Sequence, residues 1–268
     1  KYGKGLPEYG QLADYRPPVV TRVHGGDGRL IAEYAKERRV FVPVNVMPKL
    51  LIKAFLSSED KNFYAHSGID IYSLVNAAVS NLLNFYNNKR PRGASTITQQ
   101  VAKNFLLTNE LSLERKIKEA ILAFRIEKAF SKNRILELYL NEIYLGMGSY
   151  GVAAAALNYF NKSLDELTVP EVAYLAALPK APNNYHPFRK RGAAIARRNW
   201  VIKQMQKNGF ISERTMTEAQ SSKLVIIPKS ETEFVDAKYF VEDVRRELVA
   251  KFGSNKLYGG GLSVRTSV

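Results

Sequence analysis

Apolar residues recur at helical spacing from Pro48 onward for about 170 residues, which excludes a mainly β fold. One such helix is predicted over roughly residues 112–130, with Ile117, Ile121 and Phe124 on its apolar side. An amphipathic helix needs a second element against which to bury its apolar face. The sequence therefore predicts several helices packed around a common core.

The predicted helices carry start and stop signals. Thr96 with Gln99, and Thr168 with Glu171, have the spacing of a capping box, in which each side chain satisfies the backbone N–H of the other residue. The segment "KNRILELYLNEIYL" predicts a helix that ends at Gly146, because glycine accepts the backbone conformation that terminates a helix.

Short alternating runs flank the helical stretch. Residues 19–46 surround the turn sequence "GGDG" and predict a small hairpin. Near the other end, "KLVIIP" predicts a strand, residues near 238–252 predict a helix, and the last residues predict a final strand. The predicted fold class is mainly α, with small β elements at both ends.

Composition and charge limit the functions without choosing among them. Lys and Arg number 40 against 25 Asp and Glu, a formal net charge of +15 that favours a polyanionic partner: nucleic acid, an anionic membrane surface or a phosphate-bearing substrate. The absence of cysteine excludes disulfides and thiolate metal sites, and three scattered histidines give no metal-ligand spacing. No apolar run approaches the roughly 18 residues of a transmembrane helix.

The pattern divides the chain into three parts: an N-terminal arm and hairpin (1–46), a helical domain (47–222) and a C-terminal segment (223–268). The opening "KYGKGLPEYG" resembles the interior of a longer protein, and "GGGLSVRTSV" stops in a strand-like pattern. We therefore expect the chain to be a piece of a larger protein that has an anchor or a neighbouring domain.

Two adjacent carboxylates, Glu59 and Asp60, follow the apolar run "LLIKAFL", where burying an ionised group is costly. A partly desolvated carboxylate can act as a general base, because burial raises its pKa toward neutrality. On their own, however, the two acids are more typical of a helix end or of a surface pair with Lys61. Nearby His66 is expected to be structural rather than a base.

Five segments follow one another along the chain: "EDKNFYAHSG", "RGASTITQQVAKN", "RKIKEAILAFRIE", "KNRILELYLNEIYLG" and "AALPKAPNNYHP". In this order they resemble the five sequence blocks of the peptidoglycan glycosyltransferases (glycosyltransferase family 51), over roughly residues 40–215. These enzymes form the amino-terminal half of class A penicillin-binding proteins and also occur as monofunctional transglycosylases. The resemblance implies a lysozyme-like fold of two lobes with a groove between them. It places the glycosyltransferase domain at 47–222 and makes 223–268 the start of a linker toward a transpeptidase domain.

The resemblance also implies the site. Glu59 matches the first-block glutamate, the base that takes the proton from the 4-hydroxyl of one lipid-linked disaccharide as it attacks the anomeric carbon of another, with inversion. Glu119 matches the second essential glutamate, thought to position cations or the donor, so both are predicted to be catalytic. The residues predicted to bind substrate are Asp60, Ser95, Thr96, Gln99, Gln100, Lys103, Arg115 and Lys116.

Charge neutralisation explains why the site would be basic, since the donor leaves as a lipid diphosphate. Lys103, Arg115 and Lys116 match positions that bind this diphosphate in the family. From spacing alone, Lys116 and Glu119 would be an i, i+3 pair on a solvated helix face, worth about 0.2–0.5 kcal/mol. The residues of the second block can cap a helix and also bind a ligand, because a capped helix start presents N–H groups to a phosphate or sugar. The fourth block is expected to be structural.

The partners implied by the resemblance are lipid II, the growing glycan strand, an anionic membrane surface and moenomycin-type inhibitors, and no nucleic acid is expected. No cofactor is required, although Mg²⁺ or Mn²⁺ could bind with the diphosphate. The expected location is the bacterial inner (cytoplasmic) membrane, with the catalytic domain on its periplasmic or extracellular side.

The sequence is also compatible with two other functions. A lysozyme-like hydrolase or lytic transglycosylase would share the fold and a glutamate but needs no cationic cradle. A basic nucleic-acid-binding module would fit the net charge, although the sequence has no helix-turn-helix, zinc-finger or aromatic RNA-binding signature.

The stretch "VSNLLNFYNNKRPRG" suggests a membrane contact, with Leu82 and Phe85 either dipping into the interface or serving as core residues. The chain departs from the family pattern at Leu111, where many relatives have arginine, and at residues 84–93, which form a longer connection. Both departures lie near the expected donor site.

Overall fold

The structure is a computed structural model that describes residues 6–12, 15, 21–34, 40–86, 93–107, 112–227, 238–259 and 262–267. Its α-helices are α1 (Lys49–Glu59), α2 (Ile71–Tyr86), α3 (Ile97–Leu106), α4 (Leu113–Ala129), α5 (Lys132–Glu142), α6 (Val152–Phe160), α7 (Val169–Ala177), α8 (Arg191–Lys207), α9 (Glu213–Ser221), α10 (Lys238–Phe252) and α11 (Ser254–Gly259). Its strands are β1 (Thr21–His24), β2 (Leu30–Tyr34) and β3 (Ser263–Arg265), and short 3-10 helices lie at Tyr9–Leu12, Val44–Val46 and Pro182–Tyr185. The predicted fold class, mainly α with small β elements at both ends, is confirmed.

The larger core is organised around α7. Every residue of α7 from Val172 to Ala177 is buried, and a helix that is apolar on all sides must lie inside a helix bundle. Helices α1 and α8 pack against α7 and against each other. The end of α1, where the predicted base lies, therefore sits beside α8.

Capping boxes fix two helix starts as predicted. Thr96 and Gln99 form the box of α3, and Thr168 and Glu171 form the box of α7. In each case the two side chains accept hydrogen bonds from backbone N–H groups that the helix itself leaves unsatisfied. The start of α3 lies in the second of the five sequence blocks.

A small sheet joins the two ends of the chain. Strand β1 pairs antiparallel with β2 and parallel with β3, so the sheet order is β2-β1-β3. A second, smaller core consists of Val23, Ile31, Ala32, Leu248 and Leu257. The predicted hairpin, C-terminal helix and final strand are confirmed, whereas the domain boundaries after residues 46 and 222 stay predictions.

The predicted buried face of α4 is wrong. Ile117 and Phe124 are 40% and 47% exposed, and the helix instead buries Leu122, Ala123, Ile126 and the carboxylate of Glu119. The prediction used only the spacing of apolar residues and treated Glu119 as a residue that faces solvent. It therefore chose the other side of the helix. The side that carries Glu119 can be buried because neighbouring cations compensate its charge.

Two predicted boundaries also differ from the structure. Helix α5 ends at Glu142 rather than at Gly146, and a tight turn follows in which Tyr144 bridges to Tyr150. Residues 223–227 of "KLVIIP" form no strand; their backbone runs across α6, where the N–H of Ile227 donates to the carbonyl of Tyr159. The carbonyl of Leu224 also accepts from Nη2 of Arg191 at 2.7 Å, so contacts with α6 and α8 take the place of a sheet partner for these two residues.

Helix α2 exposes apolar side chains. Leu82 and Phe85 are 61% and 79% exposed, so the interpretation of these two residues as core is wrong. Leu111, residues 87–92 and the side chain of Tyr86 lie outside the described part of the chain.

Gly151 offers a test of the turn after α5. Its φ is +78°, and an added Cβ would lie 2.5 Å from the carbonyl oxygen of Asn141. Gly151→Ala should lower the free energy of unfolding by about 2–5 kcal/mol, since a left-handed backbone costs about 1–2 kcal/mol and overpacking about 1–3 kcal/mol. Gly209→Ala is the control, because Gly209 has φ +72° but open space at the Cβ position. Denaturant unfolding that shows equal losses for both variants would contradict this account of the turn.

Candidate functional site

A groove of about 770 Å³ opens between the end of α1, the starts of α3 and α4, one side of α2, and α8. The structure brings all ten predicted site residues to its walls: Glu59, Asp60, Ser95, Thr96, Gln99, Gln100, Lys103, Arg115, Lys116 and Glu119. These residues come from three of the five sequence blocks. Their roles are not tested by their placement, but one ligand could touch all of these walls.

Glu59 is the last residue of α1 and is half-buried. The Nε2 group of Gln100 donates to Oε2 of Glu59 at 3.0 Å, and the hydroxyl of Ser58 donates to Oε1 at 3.2 Å. Burial raises the pKa of the Glu59 carboxyl, while the hydrogen bond from Gln100 and the positive charge of Arg197 act in the opposite direction. A carboxylate with a raised pKa is a stronger base than a fully solvated one, which suits it to accept a proton from a hydroxyl.

Asp60 faces inward, and its side chain is only 2% exposed. Its oxygens accept hydrogen bonds from Nε2 of His66, at 2.9 and 3.0 Å, and from the N–H of Ile97 at 3.0 Å. These contacts indicate a positioning role, and the predicted contact between Asp60 and substrate stays a prediction.

His66 is held as a structural residue. Its Nδ1 accepts from the N–H of Gly68 at 3.2 Å, which leaves Nε2 as the nitrogen that carries the proton toward Asp60. With both ring nitrogens occupied and the side chain 8% exposed, His66 is not available as a base in the groove. This agrees with the sequence-based expectation.

The polar groups at the start of α3 are largely occupied. The Thr96 hydroxyl donates to the carbonyl of Gly68 at 2.6 Å and accepts from the N–H of Gln99, and Oε1 of Gln99 accepts from the N–H of Thr96. The N–H of Ile97 is taken by Asp60. The prediction that this helix start presents N–H groups to a ligand is therefore weakened for Ile97 and Gln99. Gln100 instead contributes to the groove through its side chain, which donates a hydrogen bond to Glu59.

A buried carboxylate on α4 holds two cations at the groove. Glu119 is 1% exposed; Nζ of Lys116 donates to its Oε2 at 2.5 Å, and Nε of Arg115 lies 3.2 Å from its Oε1. Nζ of Lys116 also donates to the hydroxyl of Ser95 at 3.0 Å, while its side chain stays 47% exposed. The pair is therefore more than a solvated i, i+3 contact, because the buried partner fixes where the cations point.

Several groove residues were assigned to no site from the sequence. They are Asp70, Ser73 and Asn76 at the start of α2, Lys180 after α7, and Arg197, Trp200, Gln204 and Asn208 on and after α8. Helix α8 was recognised as basic, but a basic helix is usually a solvated surface. The one available signal was the single tryptophan of the chain, three residues after Arg197.

Among the described residues, no group of three or more histidine, aspartate or glutamate side chains could hold a metal ion. The divalent cation that could accompany a diphosphate stays a prediction, because such an ion would depend on oxygens of the substrate as well.

The family model described as Transglycosylase matches residues 27–206. Penicillin-binding protein 1A of Rickettsia prowazekii is 53% identical over 268 residues, which is 100% of this chain and 34% of that protein. Penicillin-binding protein 1A of Aquifex aeolicus is 43% identical over 265 residues, 99% of this chain and 36% of that protein. The crystal structure of penicillin-binding protein 1A from Haemophilus influenzae matches with a TM-score of 0.56 and 30% identity, over 94% of this chain and 27% of that chain. This likeness agrees with the predicted lysozyme-like helical fold, and the chain spans about a third of the length of the curated relatives it matches.

Proposed function

The chain belongs to the transglycosylase family, and on that premise we propose that it is the peptidoglycan glycosyltransferase domain of a class A penicillin-binding protein. Its substrates would be lipid II and the growing glycan strand. The observation that carries the proposal is a single groove with the half-buried Glu59 at one wall and the cations Lys103, Arg115 and Lys116 at another.

In the proposed reaction the 4-hydroxyl oxygen of the acceptor sugar attacks the anomeric carbon of the donor. Glu59 takes the hydroxyl proton as the new carbon–oxygen bond forms with inversion. The bond between the anomeric carbon and the diphosphate oxygen breaks, and the lipid diphosphate leaves with the bonding electrons. The raised pKa of Glu59 supports this role, because a base works best when its pKa lies near the working pH.

The cations would neutralise the charge that develops on the leaving diphosphate. Arg115 and Lys116 are held in place by Glu119, so little reorganisation is needed during the reaction. No cofactor is required in this mechanism, and Mg²⁺ or Mn²⁺ could enter with the diphosphate.

The cation cluster also distinguishes synthesis from cleavage. A lysozyme-like glycan-cleaving enzyme needs an acid to protonate the leaving sugar oxygen and has no diphosphate to neutralise. Three cations gathered in one groove therefore support the transferase over the hydrolase. Nucleic-acid binding is a weaker candidate still, because these cations line a groove that they share with the acidic residues Glu59, Glu119 and Asp70.

A membrane surface would present the lipid-linked substrate. Among the described residues no helix is both long and apolar enough to cross a bilayer. Helix α2, which lines the groove on one side, exposes Ile71, Leu74, Val75, Val79, Leu82, Leu83 and Phe85. We propose that α2 lies in the membrane interface on the outer side of the bacterial inner membrane, with the net charge of +15 attracting anionic lipids.

Glu59→Gln should keep the fold and lower the rate of lipid II polymerisation by about 10²–10⁴, because the amide cannot accept the proton. Polymerisation of labelled lipid II and the melting temperature are measured together. A variant that stays folded and retains activity within about tenfold of the parent would remove Glu59 as the base.

Lys116→Ala should weaken the binding of moenomycin, taken as a diphosphate-site probe, by roughly ten- to a hundredfold, since a hydrogen bond to a charged group contributes about 1.5–3 kcal/mol. Lys203→Ala is the control, because Lys203 is an exposed lysine of α8 that does not line the groove. Equal losses of affinity in both variants would mean that diffuse charge, not a specific site, attracts the inhibitor.

The double variant Leu82→Ser with Phe85→Ser should lose binding to anionic liposomes, while the free energy of unfolding changes by no more than about 1 kcal/mol, because both side chains are exposed. The control pair is Val225→Ser with Ile227→Ser, which removes two apolar side chains that are also more than half exposed, from another segment. Unchanged liposome binding in the α2 variant would exclude this helix from membrane docking.

A further inference from the structure

Arg197 lies on α8 at the edge of the groove and is held by an aromatic ring. Its guanidinium carbon is 3.8 Å from the centre of the Trp200 indole, close enough for stacking and cation–π attraction. Trp200 follows Arg197 by three positions on the same helix, so the two side chains share one face. The ring therefore limits the orientations that the guanidinium can adopt.

A short chain of hydrogen bonds connects Arg197 to Glu59. Nη2 of Arg197 donates to the hydroxyl of Ser58 at 3.3 Å, and that hydroxyl donates onward to Oε1 of Glu59 at 3.2 Å. On the opposite side, Gln100 of α3 donates to Oε2. The two oxygens of the carboxylate are thus held from two different helices.

Stability does not account for Arg197. Its Nε is buried and meets no acceptor among the described residues, and no carboxylate of the described chain forms an ion pair with it within 4.0 Å. Burial lowers the pKa of the guanidinium, which is the direction expected for a cation that lacks a direct counter-charge. Polar groups left unsatisfied in this way are uncommon and call for a functional explanation.

We propose that Arg197 is a positioning residue for Glu59: stacked on Trp200, it orients the carboxylate through Ser58 and supplies a positive charge beside it. The proposal rests on the assignment of Glu59 as the base. Before the reaction the charge favours the ionised carboxylate that can accept a proton. The Ser58 bridge keeps Oε1 fixed, so that the carboxylate does not rotate away from the acceptor hydroxyl.

Other charged groups also face Glu59, and together with Arg197 they determine the direction in which the pKa of Glu59 should move in each variant. Lys180, after α7, adds a second positive charge, and Asp60 is the neighbouring carboxylate in the chain. From α5 comes the buried phenol of Tyr139, whose pKa is raised mainly by burial and further by the charges of Glu59 and Asp60. Positive charge lowers the pKa of Glu59, so the loss of Arg197 must raise it.

The test compares Arg197→Gln, Arg197→Lys and the control Lys203→Gln, which removes an exposed charge from the same helix. The pKa of Glu59 is measured directly by carbon NMR of the glutamate-labelled chain, with the signal identified by its loss in Glu59→Gln. The pH profile of kcat/KM is recorded in parallel. Arg197→Gln should move both the Glu59 titration and the acid limb of the profile upward by about one pH unit, because an adjacent opposite charge shifts a pKa by about 1–3 units.

Arg197→Lys keeps the charge, so the Glu59 titration should stay near that of the parent. It loses the planar guanidinium that stacks on Trp200. The value of kcat should therefore fall by roughly ten- to a hundredfold, since a displacement of about 1 Å in a reacting group can cost 10²-fold. Lys203→Gln should change neither quantity. Ser58→Ala, which leaves all charges in place, should lower kcat in the same way as Arg197→Lys.

An unmoved Glu59 titration in Arg197→Gln, or an equal movement in Lys203→Gln, would overturn the charge part of the proposal. Parental kcat in Ser58→Ala would overturn the bridge, and this variant serves also if Arg197→Gln does not fold. If the NMR titration moves as expected while Glu59→Gln remains active, then the contact with Arg197 stands and the assignment of Glu59 as the base fails.

Discussion

The carboxylate of Asp60 joins the two helices on which the groove depends. It follows α1 directly and accepts the N–H of Ile97, the first residue of α3, at 3.0 Å. The contact is a charge-assisted hydrogen bond at a helix start, where the exposed N–H groups and the helix dipole favour an anion. The end of the helix that carries Glu59 is thereby fixed against the start of the helix that carries Gln100, and the contact between these two side chains follows from it.

The turn between α1 and α2 is held by hydrogen bonds from the N-cap of α3 and from α5. Thr96 of α3 donates to the carbonyl of Gly68, and Lys132 of α5 donates to the carbonyl of His66 at 2.6 Å. Lys132 also pairs with Glu127 of α4 at 2.7 Å. The sequence blocks that lie far apart along the chain therefore meet at one turn, and the fourth block acts on the site by supporting this turn rather than by touching the groove.

Two glutamates in one groove are given different properties by their surroundings. Glu59 receives neutral hydrogen bonds from Gln100 and Ser58, and burial raises its pKa. Glu119 is buried against the cations Arg115 and Lys116 and serves to hold them. Environments that differ in this way can give identical side chains separate roles, and they support the roles proposed for Glu59 as a proton acceptor and for Glu119 as an anchor for positive charge.

The sequence by itself determined the helical class and the capping boxes of α3 and α7, because helix caps are local patterns. Its five blocks, through their resemblance to a known family, also indicated ten of the residues that line the groove. Tertiary structure decided which face of α4 is buried, since an apolar pattern cannot anticipate that Arg115 and Lys116 compensate a buried Glu119. It also decided that β3 pairs with β1 from the other end of the chain. Finally, it brought Arg197 and Trp200 of α8 to the end of α1, which only the packing of both helices on α7 could do. Contacts between residues more than a hundred positions apart depend on how whole helices pack, and no local spacing encodes them.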